Sequence, residues 1–130
     1  MKEVGAERLL HRLAMAAQQE IDGLMRAFPD PLRKQARSIP VTLEPRPSPA
    51  LQRDGLEPDV LGLFTGEAFP DRYESAHDLP AHIILFLRNI WDYARHDTAE
   101  YRKEVRRTYL HELGHFLGLD EDALVDRDLD

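Results

Sequence analysis

One segment near the C-terminus, residues 97–118, most constrains the fold of this 130-residue chain. Asp97 is a residue type that caps helices, and Glu100, three positions later, completes a capping box. Gly118 is the residue type that commonly ends a helix. At about 100° per residue, the apolar residues of this segment fall on one side of a helix: Val105, Tyr109, Leu110, Leu113, Phe116 and Leu117. We therefore predict a long amphipathic helix whose apolar side packs on the core.

The opposite side of this helix carries two histidines within the sequence HELGH. His111 and His115 lie about 40° apart around the helix, and Glu112 lies at the boundary between the polar and apolar sides. Histidines at positions i and i+4 can hold one metal ion, and a glutamate after the first can serve as general base. The pattern predicts a metal site at His111 and His115 with Glu112 as the catalytic base. A solvated histidine pair without a metal is the alternative, and Glu112 weighs against it.

A third metal ligand is expected after the helix. Gly118 lets the chain turn back, and in the extended pattern HExxHxxGxx-ligand the third ligand falls on Glu121. Asp120 and Asp122 flank it, and all three are carboxylates, which zinc accepts as oxygen ligands. We predict Glu121 as the ligand, with Asp120 or Asp122 as the alternative.

The rest of the chain predicts a small α+β domain with an N-terminal helix. Residues 4–28 carry apolar side chains at helical spacing, and Pro29 and Pro31 end that helix. Residues 45–59 carry four prolines and predict a surface loop. By length, residues 1–130 form a single domain.

Three short strands are expected between the two helices. Residues 41–43 lie between prolines, as is typical of an edge strand. Residues 60–64 form a second apolar run followed by a turn signal. Residues 82–87 are apolar on both alternating faces, which predicts a buried central strand.

Composition excludes several classes of protein. The chain has no cysteine, so disulfides and thiolate chemistry are excluded. Its net charge of −7 weighs against broad nucleic-acid binding. The N-terminus is not a secretory signal, and no apolar run is long enough to span a bilayer, so we expect a cytoplasmic protein without a membrane partner.

Three segments in order resemble the small bacterial zincin-like metallopeptidases: VLGLFTG (60–66), LPAHIILFL (79–87) and RTYLHELGHFLGLDED (107–122). The resemblance covers most of the chain and implies a zincin-like domain with a bound zinc ion. It implies His111 and His115 as zinc ligands, Glu112 as base and an acidic third ligand at Glu121. That family typically has aspartate at the third position, so Glu121 departs from its pattern.

The resemblance implies a zinc-dependent peptidase acting on a peptide or protein substrate. Such enzymes usually hold the substrate as an added strand on a sheet edge, and residues 60–64 are the candidate edge. A zinc-stabilised peptide-binding module without catalysis is the second hypothesis, although a purely structural site has no need of Glu112. A metal-dependent endoribonuclease is the third, and Glu112, Glu121 and the acidic charge point away from it.

Overall fold

The computed structural model describes residues 2–66 and 81–117 of the chain. Five helices and three strands lie within these ranges. The helices are α1 (Lys2–Ala27), α2 (Asp30–Arg37), α3 (Pro49–Arg53), α4 (Leu87–Tyr93) and α5 (Thr98–Phe116), and the strands are β1 (Val41–Glu44), β2 (Gly62–Thr65) and β3 (His82–Phe86). This arrangement confirms the predicted small α+β fold. None of the helices in these two ranges has both the length and the apolar character that a bilayer crossing requires.

The three strands form one mixed sheet with β3 in the centre. β1 pairs with β3 in parallel, with Val41 opposite Ile83, and β2 pairs with β3 antiparallel, with Gly62 opposite Leu85. Ile83 and Leu85 are fully buried, as expected for a strand with neighbours on both sides. The predicted central strand is therefore confirmed, and within the described residues β2 is an edge of the sheet.

The hydrophobic core lies between the sheet and helices α1, α4 and α5. The apolar side of α5 is buried as predicted, with Val105 and Tyr109 at zero exposure. The apolar stripe of α1 packs against α5 and α4, and Leu13 and Ile21 are buried there. Burial of these two apolar faces supplies most of the free energy that stabilises α1 and α5 as helices.

Three helices were not predicted, and two of them have a proline in the first turn. Pro31 occupies the first turn of α2, and Pro49 begins α3 after Ser48, whose side chain accepts a hydrogen bond from the Leu51 amide at 3.2 Å. Proline breaks a preceding helix but suits the first turn of the next one, because its missing N–H has no helical partner there. α4 begins at Leu87, directly after β3, so the predicted strand over 82–87 is one residue too long.

The two buried tyrosines of α5 differ in their hydrogen bonding. The Tyr101 hydroxyl donates a hydrogen bond to the Leu13 carbonyl of α1 at 2.7 Å. The Tyr109 hydroxyl is also buried, but it has no hydrogen-bond partner among residues 2–66 and 81–117. Burial raises the pKa of Tyr109 to about 12, and it raises that of Tyr101 as well. Each ring fills the core, and the Tyr101 hydroxyl also links α5 to α1.

We expect Tyr101→Phe to lower the free energy of unfolding by about 1 kcal/mol, because it removes a buried hydrogen bond. Tyr109→Phe should change the free energy of unfolding by less than about 0.5 kcal/mol or raise it, since it removes an unpaired buried hydroxyl. Urea unfolding of both variants at neutral pH tests this. Equal losses in the two variants would contradict it.

The Tyr109 pKa also predicts a loss of stability at alkaline pH. Its ordinary value is 10.0, so the neutral form is favoured in the folded state. The stabilisation is fully present below pH 10 and is lost as the pH rises toward 12. At pH 11 the wild type should have lost about 1 kcal/mol more than Tyr109→Phe, relative to neutral pH. Urea unfolding at the two pH values gives this difference, and parallel curves for the two proteins would refute the assignment.

Candidate metal centre

The candidate metal-binding sequence lies in the last two turns of α5. Asp97 caps the start of this helix, where its side chain accepts a hydrogen bond from the Glu100 amide at 2.8 Å. Toward the C-terminal end, Leu113 and Phe116 anchor the helix in the core. With both ends fixed in this way, the side of the helix that carries Thr108 and Glu112 faces β2.

His111, Glu112 and His115 form a group that can hold a metal ion. One possible ligand atom from each of the three side chains lies within 4.8 Å of the other two. The two imidazole rings have centroids 4.8 Å apart and are inclined at 81°, so the rings approach edge to face. Imidazole nitrogen and carboxylate oxygen are donors that zinc takes, so the chemistry of this set fits that ion.

Glu112 lies deeper than the two histidines. It is 9% exposed, whereas His111 is half-buried and His115 is exposed. Burial raises the pKa of the Glu112 carboxyl, and the adjacent His115 and His111 rings lower it in part. A carboxylate with a raised pKa is a stronger base than a solvated one, which suits general-base chemistry.

β2 runs beside α5 at a distance that only glycine permits. A Cβ added at Gly62 would lie 2.7 Å from Thr108 Cγ2, 3.3 Å from Glu112 Cγ and 3.3 Å from the Ile84 carbonyl oxygen. The absence of a side chain at this one position therefore sets the spacing between the edge strand and α5.

Asn89 of α4 holds the segment that leads into β2. Its Nδ2 donates to the carbonyl oxygens of Pro58 at 2.8 Å and Val60 at 2.7 Å. Its Oδ1 accepts a hydrogen bond from Arg46 Nη1 at 2.7 Å. One buried side chain thus fixes the start of the strand that borders α5.

A cleft of about 470 Å³ lies between β2 and α5. It is lined on one side by Leu61 and Gly62, and on the other by Thr108, His111 and Glu112. A second recess of about 380 Å³ continues along Phe64 and Gly66 to His115. The candidate metal ligands therefore face a groove that follows the edge strand.

A family model described as a zincin-like metallopeptidase matches residues 36–129. The chain belongs to the zincin-like metallopeptidase family. A search of curated proteins finds no match to it. The match begins within α2, so α1 lies outside the part of the chain that defines the zincin-like family.

The structure brings together three of the four predicted site residues of this zincin-like protein. His111, Glu112 and His115 share one end of the groove. Glu121 and its alternatives Asp120 and Asp122 lie outside the described residues, and the third ligand stays a prediction.

Sequence reasoning did not find two residues that shape the site. Arg107 lines the cleft and donates a hydrogen bond from Nη1 to Glu104 Oε1 at 3.1 Å. Arg107 lies one helical turn before His111, so the helical spacing alone places the two side chains on the same side of α5. Asn89 is the only asparagine of the chain, but no local pattern connects it to Val60.

We expect Gly62→Ala to lower the free energy of unfolding by about 1–3 kcal/mol, because its Cβ overpacks the contact with Thr108. Adding Thr108→Ser removes the methyl group nearest to that Cβ, so the double variant should lose about 1 kcal/mol less than the sum of the single variants.

The control for this double-mutant comparison of Gly62 and Thr108 is Gly23→Ala on α1. There the nearest atom to an added Cβ is Arg26 Nη2 at 3.8 Å. This change should leave stability unaltered or raise it by up to about 1 kcal/mol, since alanine favours the helix. Urea unfolding measures all four variants. Strict additivity between Gly62→Ala and Thr108→Ser would show that the close approach is relieved elsewhere.

Proposed function

We propose that this chain is a zinc-dependent peptidase in which His111, His115 and Glu121 hold the metal and Glu112 is the general base. The observation that carries the proposal is the convergence of His111, Glu112 and His115 beside an open groove. Membership of the zincin-like metallopeptidase family supports the same activity.

The roles of the side chains follow from their positions. When bound, zinc supplies a Lewis acid that polarises a peptide carbonyl and makes water more acidic. Glu112 accepts the proton of the attacking water at its carboxylate and then delivers it to the departing amine. Its burial keeps bulk water from solvating the carboxylate, which preserves its basicity between these two transfers.

The peptide substrate is held along β2. An extended peptide can pair with the backbone of an edge strand, where main-chain hydrogen bonds give affinity and side-chain recesses give specificity. β2 is such an edge within the described residues, and the groove between β2 and α5 passes the candidate ligands. The scissile bond then lies where this groove meets His111, Glu112 and His115.

We expect one zinc ion per chain by mass spectrometry after loading with one equivalent and removal of free metal. His115→Ala should lose the zinc, whereas His11→Ala, which alters an exposed histidine of α1, should retain it. Glu121→Ala should bind zinc more weakly than Asp120→Ala or Asp122→Ala. Zinc retained fully in Glu121→Ala would assign the third ligand to one of the two aspartates.

The zinc-loaded protein should cleave members of a random peptide library, with products detected by mass spectrometry. Glu112→Gln should keep the zinc and lose at least about 100-fold in rate, because general-base catalysis is worth about that factor or more. Zinc binding without cleavage by the wild type would favour the non-catalytic peptide-binding module. A wild type that binds no zinc would overturn the peptidase proposal.

A further inference from the structure

The cleft extends beyond the candidate metal ligands into a recess near the start of α5. This recess has a volume of about 450 Å³ and shares Tyr93, Glu104 and Arg107 with the cleft. Its charged lining consists of Arg95, Lys103, Arg107, Glu100 and Glu104. Three cations and two carboxylates leave this recess with an excess of one positive charge, although the whole chain carries a net charge of −7.

The two members of the Glu104–Arg107 ion pair differ in accessibility. The Glu104 side chain is only 8% exposed, whereas the Arg107 side chain is 46% exposed. Glu104 therefore acts as a buried anchor that orients the guanidinium of Arg107. A guanidinium has five N–H donors, and one nitrogen of Arg107 serves Glu104, so donors remain that can bind an anion in the cleft.

Arg95 is held at the opposite wall of the recess by an uncommon turn. Arg95 and His96 have φ values of 57° and 62°, in the left-handed region that non-glycine residues seldom occupy. The His96 ring stacks on Trp91 with centroids 5.0 Å apart, and His96 Nε2 lies 2.9 Å from Asp92 Oδ1. These contacts stabilise the turn between α4 and α5, and so fix the backbone that carries Arg95.

The strand direction places the recess on one side of the scissile bond. β2 runs alongside α5 in the same sense, because Gly62 lies beside Thr108 whereas Gly66 shares a recess with His115. Antiparallel pairing is more stable per residue than parallel pairing, and a peptide paired antiparallel to β2 passes His115 first and Arg107 later. Arg107 precedes His111 by one turn, about 6 Å along the helix axis, which is about two residues of extended peptide.

We propose that Arg107, together with Arg95 and Lys103, forms a carboxylate-binding subsite for the part of the peptide about two residues C-terminal to the scissile bond. This inference rests on the proposed peptidase function and adds its substrate class. The carboxylate is either an acidic side chain or the C-terminus of a short peptide, and the same donors bind both. Arginine suits this task because its planar fork matches the two oxygens of a carboxylate.

The test measures binding to zinc-loaded Glu112→Gln protein, so that the peptide is not consumed. The probes are alanine hexapeptides with an N-terminal fluorescein, in which one glutamate or glutamine is moved along the last four positions. Each peptide is made with a free and with an amidated C-terminus, and fluorescence anisotropy gives its Kd. These four forms separate an acidic side chain from a terminal carboxylate as the group that is bound.

We expect the best carboxylate peptide to bind about tenfold more tightly than its fully amidated counterpart, as one charged hydrogen-bonded contact provides. Arg107→Gln should reduce that preference to about twofold or less, while the Kd of the neutral peptide stays unchanged. Arg106→Gln is the matched control, because Arg106 is 42% exposed and pairs with Glu20 of α1 outside the cleft. It should retain the full preference.

A second variant distinguishes loss of the subsite from misfolding of Arg107→Gln. Arg107→Gln leaves the Glu104 carboxylate buried without its partner, so Glu104→Gln with Arg107→Gln removes both charges together. A carboxylate preference that survives in this double variant would overturn the subsite, as would equal binding of acidic and neutral peptides. Failure of the peptidase proposal alone would look different: the wild type would cleave nothing, yet Arg107 would still set the carboxylate preference.

Discussion

The close packing of β2 against α5 at Gly62 is the contact on which the site depends. A side chain there would lie 2.7 Å from the Thr108 methyl group, so the strand can approach the helix only because it has none. This approach places the backbone of an edge strand beside Glu112 and His115. With a wider gap Glu112 would lose the strand that helps to bury it, and the groove beside the candidate metal ligands would lose one wall.

A helix that presents polar groups to a narrow groove has to bury some of them. Glu104, Thr108 and Glu112 are all 9% exposed or less, and they lie on the side of α5 that faces the cleft. Glu104 is neutralised by Arg107, whereas burial raises the pKa of Glu112 next to two histidines. The two buried carboxylates therefore differ because of their neighbours. Glu104 lies beside an arginine that neutralises it, whereas Glu112 lies beside two histidines and has a pKa raised by burial.

The sequence predicted the parts of this structure that depend on local pattern. The period of α5, the Asp97 cap and the apolar run of β3 are all visible along the chain, and each is present in the structure. The site geometry at His111, Glu112 and His115 followed because all three lie on one helix. The family resemblance then connected these residues to a fold.

The remaining features depend on contacts between residues far apart in the chain. The hydrogen bonds from Asn89 to Pro58 and Val60 join α4 to a loop about thirty residues earlier, and no periodicity encodes them. Likewise, position 62 excludes a side chain only because Thr108 lies opposite it in the folded chain. The helices α2 and α3 were not predicted for a different reason: a proline that ends one helix can also lie in the first turn of the next.

The hydrogen bond between Tyr101 and the Leu13 carbonyl joins residues that are 88 positions apart. Glu20 of α1 likewise receives hydrogen bonds from Arg102 and Arg106 of α5. During synthesis, α1 leaves the ribosome long before α5, so the apolar stripe of α1 lacks its largest partner until α5 emerges. The core therefore closes late, once the helix that carries His111, Glu112 and His115 has been synthesised.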